Sequence, residues 1–537
     1  MLRRAAVAVL SSAVALSALA PTPTATAGPG RDVGLEQFRD IVVDDTHGRV
    51  FISQGTDTIV VTDLDGIATD VVTGLPGAAG MALSDDDSTL YVAAYDAGAI
   101  GVVDTETLAL TTIDVGADTC PYDLALSAGM VWFTRVCHTR TIGAVNPVDG
   151  SVHLDLSPAS YPQGVRIDAS PARPGELFAY TSAAIYSFTA QGGDSPTLTQ
   201  RLEREGRFTY DTAISPDGAR LLTTGGPVEN EALALSTEDF TVVDSYRVAK
   251  EENAVAVAVR EDGMVALGSP ATSRPDVFVF EAGSTTPMRT YELGSSVRVL
   301  TGAMAFGETS LYLVTDHTDG TFLKVIQPRH ETTLRVKTDS RRYDYAETAK
   351  VTVTLDGGET NRDVEVFALP KGEKDPVMIA SGRVADGGVL RARFEVTRPT
   401  AFSATYAGDD SFDPAEDKTK PVEVKADLRT TMLRSRGKAG RYHLYVVGER
   451  ATLQATLLPK GFPRRCVTVR VQFLVRGKWG YDGKTPCLTP DRRSRVRGYV
   501  TGSPQLAGVP LRMRAEFRGD KVHARTTSSW SLIKFRR

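Results

Sequence analysis

A short apolar strand that recurs seven times is the feature of this sequence that most restricts its fold. Successive copies begin about 41 to 47 residues apart, and each is followed by a turn and further β-rich segments. The copies are Asp40–Asp44, Met81–Ser84, Asp123–Ser127, Gly164–Asp168, Asp211–Ser215, Val255–Val259 and Gly302–Phe306. This period is typical of a four-stranded propeller blade, and four to eight blades close a ring. The repeat predicts an all-β chain in which residues 28–328 form a seven-bladed β-propeller.

The last repeat is one strand short of a complete blade. It offers three strands and stops at Gln327–Pro328. A ring with an open seam would leave unpaired strand edges, which folded proteins avoid. The segment Arg31–Leu35, just before the first repeat, is therefore predicted to pair with the last repeat and complete it.

The second repeat carries a family resemblance. Tyr91–Val92, Val103–Thr107 and Val115–Gly116 supply a Tyr-Val strand, a Val-Asp-x-x-Thr turn and a Val-Gly pair. This sequence pattern resembles YVTN-type propeller repeats. The first and third repeats have weaker versions, and the later ones keep only the spacing. The resemblance implies a fold and does not by itself imply an activity.

The pattern changes after Pro328. Two series of short alternating strands follow, each of about 100 residues, and they predict β-sandwiches over 329–427 and 428–537. The first series ends in Tyr406–Asp409, which resembles the Y-x-G-D ending of bacterial immunoglobulin-like repeats. The second has Phe517–Asp520 and then departs from that pattern. The resemblance implies spacer or adhesive modules on surface proteins.

The N-terminus has the form of a secretory signal peptide. A basic start at Met1–Arg4 precedes an apolar run from Ala5 to Ala20, and Ala25–Ala27 reads as an A-x-A cleavage site. We predict a signal peptide over 1–27 and an extracellular protein without a membrane span, either released or associated non-covalently with the cell wall. A membrane anchor that is retained is the alternative.

Four cysteines in an exported chain indicate two disulfides. A hairpin about Ala128–Gly129 sets Cys120 opposite Cys137, within the distance that a disulfide spans. Cys466 and Cys487 both fall in the second sandwich and are predicted to pair there. Two free buried thiols at Cys120 and Cys137 are the alternative.

Charge is segregated along the chain. From Arg429 to Arg537 there are 25 Lys and Arg against 5 Asp and Glu, whereas the whole chain has a net charge of −5. Such asymmetry points to a polyanionic partner at one end of the molecule. A cell-wall polymer or acidic glycan is expected, and nucleic acid is not. A solvated basic surface without a partner, or self-association with the acidic propeller, are the alternatives. The predicted contacts are Arg464, Arg465, Arg492, Arg493, Arg495 and Arg497.

Established catalytic and metal-binding motifs are absent from the sequence, so no catalytic residue, cofactor or metal is predicted. Propellers commonly bind at the ring mouth, which the register builds from segments before the first strand and after the second strand of each blade. The predicted mouth residues are Arg39, Tyr122, Arg135, His138, Tyr161, Tyr210, Glu252, Asn253, Arg298, Asp316 and His317. Tyrosines beside arginines suit a sugar, an acidic group or a peptide; alternatively, the tyrosines only plug a packed funnel.

These features predict a secreted binding or scaffold protein. Its propeller would present an interaction face for a ligand or a protein partner, and its basic C-terminal sandwich would tether it to a polyanion. The alternative is an enzyme, because some similar propellers are lactonases or lyases with His, Glu, Asp and a divalent metal at the mouth. His138, Glu252, Asp316 and His317 would then form the active site.

Overall fold

The computed structural model describes residues 24–161, 165–205, 209–225, 231–248, 253–270, 275–356, 362–384, 388–409, 411–461 and 465–537. They fall into two compact units, one ending at Arg329 and one beginning at His330. Regular structure in these residues is almost entirely β, apart from one turn of 3-10 helix at Pro504–Leu506. Within the described part of the chain, no helix has the length and apolar character needed to cross a membrane.

The described residues of the first unit form seven sheets of four or five strands. Two strands precede them in the chain, β1 (Thr24–Thr26) and β2 (Arg31–Leu35). Sheet one contains β3 (Asp40–Asp44), β4 (Arg49–Ser53), β5 (Thr58–Asp63) and β6 (Ala68–Thr73). Sheet two contains β7 (Ala78–Leu83), β8 (Thr89–Ala94), β9 (Ala99–Asp104) and β10 (Leu110–Asp114). Sheet three contains β11 (Pro121–Ser127), β12 (Met130–Arg135), β13 (Ile142–Val145) and β14 (Val152–His153).

The remaining sheets of this unit follow the same order. Sheet four contains β15 (Arg166–Asp168), β16 (Glu176–Tyr180), β17 (Ala184–Gln191) and β18 (Thr197–Glu205). Sheet five contains β19 (Thr209–Ile214), β20 (Arg220–Gly225), β21 (Glu231–Ser236) and β22 (Val242–Arg247). Sheet six contains β23 (Ala256–Val259), β24 (Val265–Gly268), β25 (Val277–Phe280) and β26 (Pro287–Glu292), with β1 added in parallel to β26. Sheet seven contains β27 (Arg298–Phe306), β28 (Leu311–His317) and β29 (Gly320–Ile326), with β2 outermost.

The sheets are arranged in a ring. The innermost strands β3, β7, β11, β15, β19, β23 and β27 contact one another in that order, and β27 contacts β3. The middle strands β12 and β13 are buried along their whole length, whereas the outer strand β6 is largely exposed. This gradient arises because neighbouring sheets cover both faces of the middle strands. The first unit is therefore a β-propeller.

The predicted closure of the ring is confirmed. Strand β2 pairs antiparallel with β29, with Arg31 opposite Leu323 and Leu35 opposite Thr321. The chain thus closes its last sheet with a strand from its own beginning. Residues 1–23 of the predicted signal peptide lie outside the described residues, and the cleavage after Ala27 stays a prediction.

Both predicted cysteine pairs are at disulfide distance, with Cα–Cα separations of 5.5 Å for Cys120–Cys137 and 5.2 Å for Cys466–Cys487. The hairpin register predicted for the first pair holds from Ser127 opposite Met130 to Leu124 opposite Phe133. It then shifts by one residue at a bulge. The cysteines still meet because they lie just beyond the last paired residues, where the backbone has left the regular ladder.

The second unit has two hydrophobic cores in its described residues, one within 334–424 and one within 426–535; we call these parts the first half and the second half. The first half contains β30 (Leu334–Thr338), β31 (Arg342–Tyr343), β32 (Glu347–Leu355), β33 (Asp363–Pro370), β34 (Val377–Arg383), β35 (Val389–Val396), β36 (Thr400–Tyr406), β37 (Ala415–Lys418) and β38 (Glu423–Val424). Its main sheets are β30-β32-β35 and β34-β33-β36-β37, and their alternating apolar residues meet in the core.

The second half repeats this layout. It contains β39 (Asp427–Leu433), β40 (Lys438–Ala439), β41 (Tyr442–Val446), β42 (Arg450–Leu458), β43 (Val467–Val475), β44 (Lys478–Lys484), β45 (Arg495–Thr501), β46 (Pro510–Phe517), β47 (Thr526–Thr527) and β48 (Ser531–Arg536). One sheet is β39-β42-β45. The other has the order β40-β41-β48-β46-β43-β44, with β47 also paired to β46.

A candidate ligand-binding cavity at the propeller mouth

A cavity of about 780 Å³ opens where loops of the first five sheets converge. Its walls come from the first residues of the innermost strands, from the segments just before them, and from the ends of the second strands and the segments that follow them. The side chains that give it its chemical character are three arginines and four tyrosines, with one acidic and three hydroxyl groups. They are Arg39, Arg140, Arg166, Tyr95, Tyr122, Tyr180, Tyr210, Asp96, Thr181, Ser182 and Thr209.

Two arginines are held in place by their neighbours. A Cβ atom on Gly55 would lie 2.9 Å from Nε of Arg39, so the glycine lets this side chain lie against the loop backbone. The Cζ atom of Arg166 lies 5.6 Å from the centroid of the Tyr122 ring. Tyr122 in turn meets Tyr95 edge to face, with ring centroids 6.4 Å apart. The cavity therefore presents positioned guanidinium groups next to aromatic rings.

Three aspartates of the innermost strands join neighbouring sheets beside this cavity. Each accepts a hydrogen bond from a backbone N–H of the next sheet, namely Met81 to Asp40 at 2.7 Å, Ile167 to Asp123 at 2.8 Å and Val257 to Asp211 at 2.8 Å. These carboxylates link sheets one and two, three and four, and five and six. Their backbone partners identify them as structural links between blades.

Burial changes the acidity of these carboxyl groups. It raises the pKa of Asp40 to about 7, and the nearby Asp123 carboxylate adds to the rise. Burial also raises the pKa of Asp211 to about 7. The pKa of Asp168 is also raised to about 7, mainly by burial and secondly by the nearby Asp211 carboxylate. Desolvation disfavours the charged form of a carboxyl group, and a second carboxylate nearby disfavours it further.

The structure places some predicted mouth residues in the cavity and others elsewhere. Arg39, Tyr122 and Tyr210 line it. Arg135 does not, because it is buried and its Nη1 lies 2.5 Å from Oδ1 of Asp155. His138 is exposed outside the cavity, and Tyr161 is buried with only 3% of its surface exposed.

The remaining predicted mouth residues are Asn253, Arg298, Asp316 and His317. They belong to the sixth and seventh sheets and are not among the described residues that line the cavity. Glu252 lies outside the described residues. Of the arginines and tyrosines that line the cavity, sequence reasoning missed Arg140, Arg166, Tyr95 and Tyr180. The position of Arg166 on the innermost strand, equivalent to that of Asp40 and Asp123, was the available signal.

The six arginines predicted to bind a polyanion also differ in exposure and in their partners. Arg492 and Arg493 are exposed, Arg495 pairs with Asp491 at 3.3 Å, and Arg497 donates to the side chain of Gln454. Arg464 lies outside the described residues.

Arg465 requires a correction, because its side chain is only 3% exposed and cannot face a polyanion. Its Nε lies 2.8 Å from Oδ2 of Asp520, and its Nη2 donates to Nδ1 of His523 at 2.6 Å.

No group of three or more His, Cys, Asp or Glu side chains in the described ranges is arranged to hold a metal ion. The arrangement at the mouth suits non-covalent binding. Arginine provides paired N–H donors for carboxylate or phosphate, and tyrosine provides an aromatic face with a polar edge.

No known protein family and no curated protein matches this chain. Solved structures with a similar fold include the Cps50 (Swd1) β-propeller domain of Myceliophteria thermophila, at 10% identity and a TM-score of 0.42, covering 54% of this chain and 97% of that one. Hydrazine synthase of Kuenenia stuttgartiensis aligns at 15% identity and a TM-score of 0.42, covering 56% and 98%. Dihydro-heme d1 dehydrogenase NirN aligns at 15% identity and a TM-score of 0.39, covering 66% and 77%. The similarity concerns the fold alone.

Proposed function

We propose that this chain is a secreted binding protein of the cell envelope. In this proposal the first unit is a seven-bladed propeller of the YVTN type, and the two halves of the second unit are immunoglobulin-like sandwiches. The propeller mouth binds a ligand, and the basic second half holds the protein to an anionic polymer of the wall.

The observation that carries the proposal is the composition of the mouth cavity. Three arginines and four tyrosines converge there from separate sheets, and at least Arg39 and Arg166 are positioned by close neighbours. A volume of about 780 Å³ lies in the range of small-molecule sites. The chemistry favours a ligand that has both an anionic group and a ring, such as a sugar acid.

The charge distribution supports the second part of the proposal. The residues from Arg429 onward carry a surplus of about 20 positive charges, and the rest of the chain is acidic. Arginine and lysine side chains attract polyanions over distances of about 10 Å at 0.1 M salt. A wall polymer would therefore be attracted to the second half and not to the acidic propeller.

The enzyme alternative receives no comparable support. Of its four residues, His138, Asp316 and His317 do not line the cavity, and Glu252 lies outside the described residues.

The mouth can be tested with a thermal-shift screen of uronic acids and sugar phosphates on the full-length protein. A ligand that binds only the folded state raises its melting temperature, by an amount set by its concentration relative to Kd. We expect at least one anionic sugar to raise the melting temperature and Arg39→Ala to remove the shift. The matched control is Arg298→Ala, because Arg298 lies at the start of β27 outside the cavity. Equal shifts for both variants, or none for the wild type, would contradict the proposal.

A further inference from the structure

Two of the chain's three tryptophans lie on one outer sheet face of the second half. Along β46, every second residue from Leu511 to Phe517 is buried in the core, so Arg512, Arg514 and Glu516 point away from it. Strands β43 and β48 flank β46. We call the surface formed by Arg470, Trp479, Lys484, Arg512, Arg514 and Trp530 the Arg–Trp face.

Arg512 is clamped at the centre of this face. Its Cζ lies 4.5 Å from the ring centroid of Trp479 and 4.2 Å from that of Trp530. Its Nε and Nη2 donate to Oε1 of Gln472, at 2.8 and 2.5 Å. The partner amide is neutral, and within the described residues Arg512 has no ion pair. The guanidinium is thus held in one orientation, and among the described side chains its Nη1 has no hydrogen-bond acceptor.

Around Arg512, the described cationic side chains of the Arg–Trp face outnumber the carboxylate that they share, Glu516. Glu516 is shared by Arg514 at 2.7 Å, Lys484 at 3.1 Å and Arg470 at 3.3 Å. Among the described side chains, this one carboxylate therefore faces three cations, and Arg512 adds a fourth. Arg514 also stacks on Trp530, with its Cζ 4.5 Å from the ring centroid.

The cations are spaced regularly by the sheet. Arg512 and Arg514 are two residues apart on one strand, which separates them by roughly 7 Å. Arg470 lies directly opposite Arg514 on β43, which places their Cα atoms about 5 Å apart. A flexible chain that carries an anionic group every several ångströms can meet more than one of these cations at once.

We propose that the Arg–Trp face binds an acidic glycan, whose carboxylate or sulfate groups meet the guanidinium edges. This inference rests on the proposed function and names the site and the ligand class of its polyanion contact. It moves that contact from the arginines predicted from the sequence to the Arg–Trp face, where the side chain of Arg512 is ordered before a ligand binds.

Two other macromolecular partners fit this face less well. Proteins that bind single-stranded nucleic acid stack bases on open aromatic rings, whereas arginines cover the rings of Trp479 and Trp530 here. A membrane surface would require large apolar side chains that project outward. The outward residues of β46 are charged instead.

The test uses the full-length protein and separates the contribution of positive charge to glycan binding from that of the guanidinium geometry of Arg512. Binding of polygalacturonate and dextran sulfate is measured at 50, 150 and 300 mM NaCl, with neutral dextran, single-stranded DNA and phosphatidylglycerol vesicles as comparisons. Arg512→Lys keeps the positive charge but loses the planar guanidinium group, which stacks on the tryptophan rings and can donate two parallel hydrogen bonds. We expect this variant to bind the acidic glycans about tenfold more weakly, because the clamped bidentate geometry is lost.

The matched control is Arg492→Lys with Arg493→Lys, since both residues are exposed. This control should bind within about twofold of the wild type, because unclamped surface arginines act mainly as charges. Circular dichroism and the melting temperature verify that Arg512→Lys is folded.

Three results would overturn the inference. Arg512→Lys could bind the acidic glycans as tightly as the wild type, or the control with Arg492→Lys and Arg493→Lys could lose binding instead. DNA or vesicles could also bind more tightly than either glycan, with Arg512→Lys weakening that binding. In each case a polyanion is still bound, so the proposed tether stands. If the wild type binds none of the anionic probes, the tether itself fails.

Discussion

Asp40 sits where the first two sheets of the propeller meet, and replacing it with asparagine tests the electrostatics of that junction. Its Oδ2 accepts from the Met81 N–H at 2.7 Å, and its Oδ1 accepts from the Ile41 N–H at 2.8 Å. Burial, with the nearby Asp123 carboxylate, raises the pKa of Asp40 from 3.8 to about 7. The folded protein therefore binds a proton at this site more tightly than the unfolded chain does.

The sign of the pH dependence follows from this difference. The stabilisation from protonated Asp40 is complete below about pH 4 and is lost as the pH rises through about 7. Between pH 4.5 and 7.5 the loss amounts to about 3 kcal/mol of unfolding free energy, because each pKa unit corresponds to about 1.4 kcal/mol. Asparagine does not titrate in this range. The stability of the wild type relative to Asp40→Asn should therefore fall by about 3 kcal/mol from pH 4.5 to pH 7.5.

Urea denaturation at the two pH values measures this quantity. Trp132 is fully buried in the propeller, so its fluorescence reports that unit once Trp479 and Trp530 are replaced by phenylalanine in every protein compared. Asp86→Asn is the control. Hydrogen bonds from Ser88 and Ser84 lower the pKa of Asp86 to about 2, so this variant should show no pH trend between 4.5 and 7.5. A pH-independent difference for Asp40→Asn would refute the assignment of a raised pKa.

Two further predictions concern stability. Gly80→Ala should lower the unfolding free energy of the propeller by about 2 kcal/mol, since the new Cβ would lie 2.6 Å from Oδ1 and 2.7 Å from Cα of Asp123. Gly28→Ala has nothing within 4 Å of the new atom and should leave the melting temperature unchanged; a matching result for Gly80→Ala would contradict the close approach of sheets two and three. Replacing Cys120 and Cys137 by serine should lower stability by about 3 kcal/mol, because the bond closes a loop with a sequence separation of 17. Urea denaturation with and without reductant checks this, and an unchanged midpoint after reduction would show that the bond does not constrain the chain.

Local features of the sequence predicted much of the propeller. The repeat spacing located the innermost strands, and the missing outer strand of the last repeat led to the pairing of β2 with β29. Both inferences need only the pattern within one repeat and a count of the strands in each repeat. The cysteine pair was found in the same way, although the bulge after Pro121 shifted the register by one residue.

The mouth could be predicted only in part. The register correctly nominated Arg39, just before its innermost strand, and Tyr122 and Tyr210, which lie near the beginning of theirs; all three line the cavity. It did not show which other described residues line the cavity. Those depend on how side chains from neighbouring sheets pack at the centre of the ring, which no single repeat specifies.

The basic second half was likewise predicted only in part. Composition alone establishes the surplus of positive charge after Arg429. It does not reveal that Arg465 is buried against Asp520, or that Arg512 is held between two tryptophans that are distant in sequence.

The sequence by itself thus determined the strand content, the ring of repeats, its closure and the segregation of charge, because periodicity and composition are local properties. Only the tertiary structure decided which arginines are clamped, which are buried and which aspartates link the blades. Those roles depend on neighbours that folding brings together from separate strands, and on the desolvation that results.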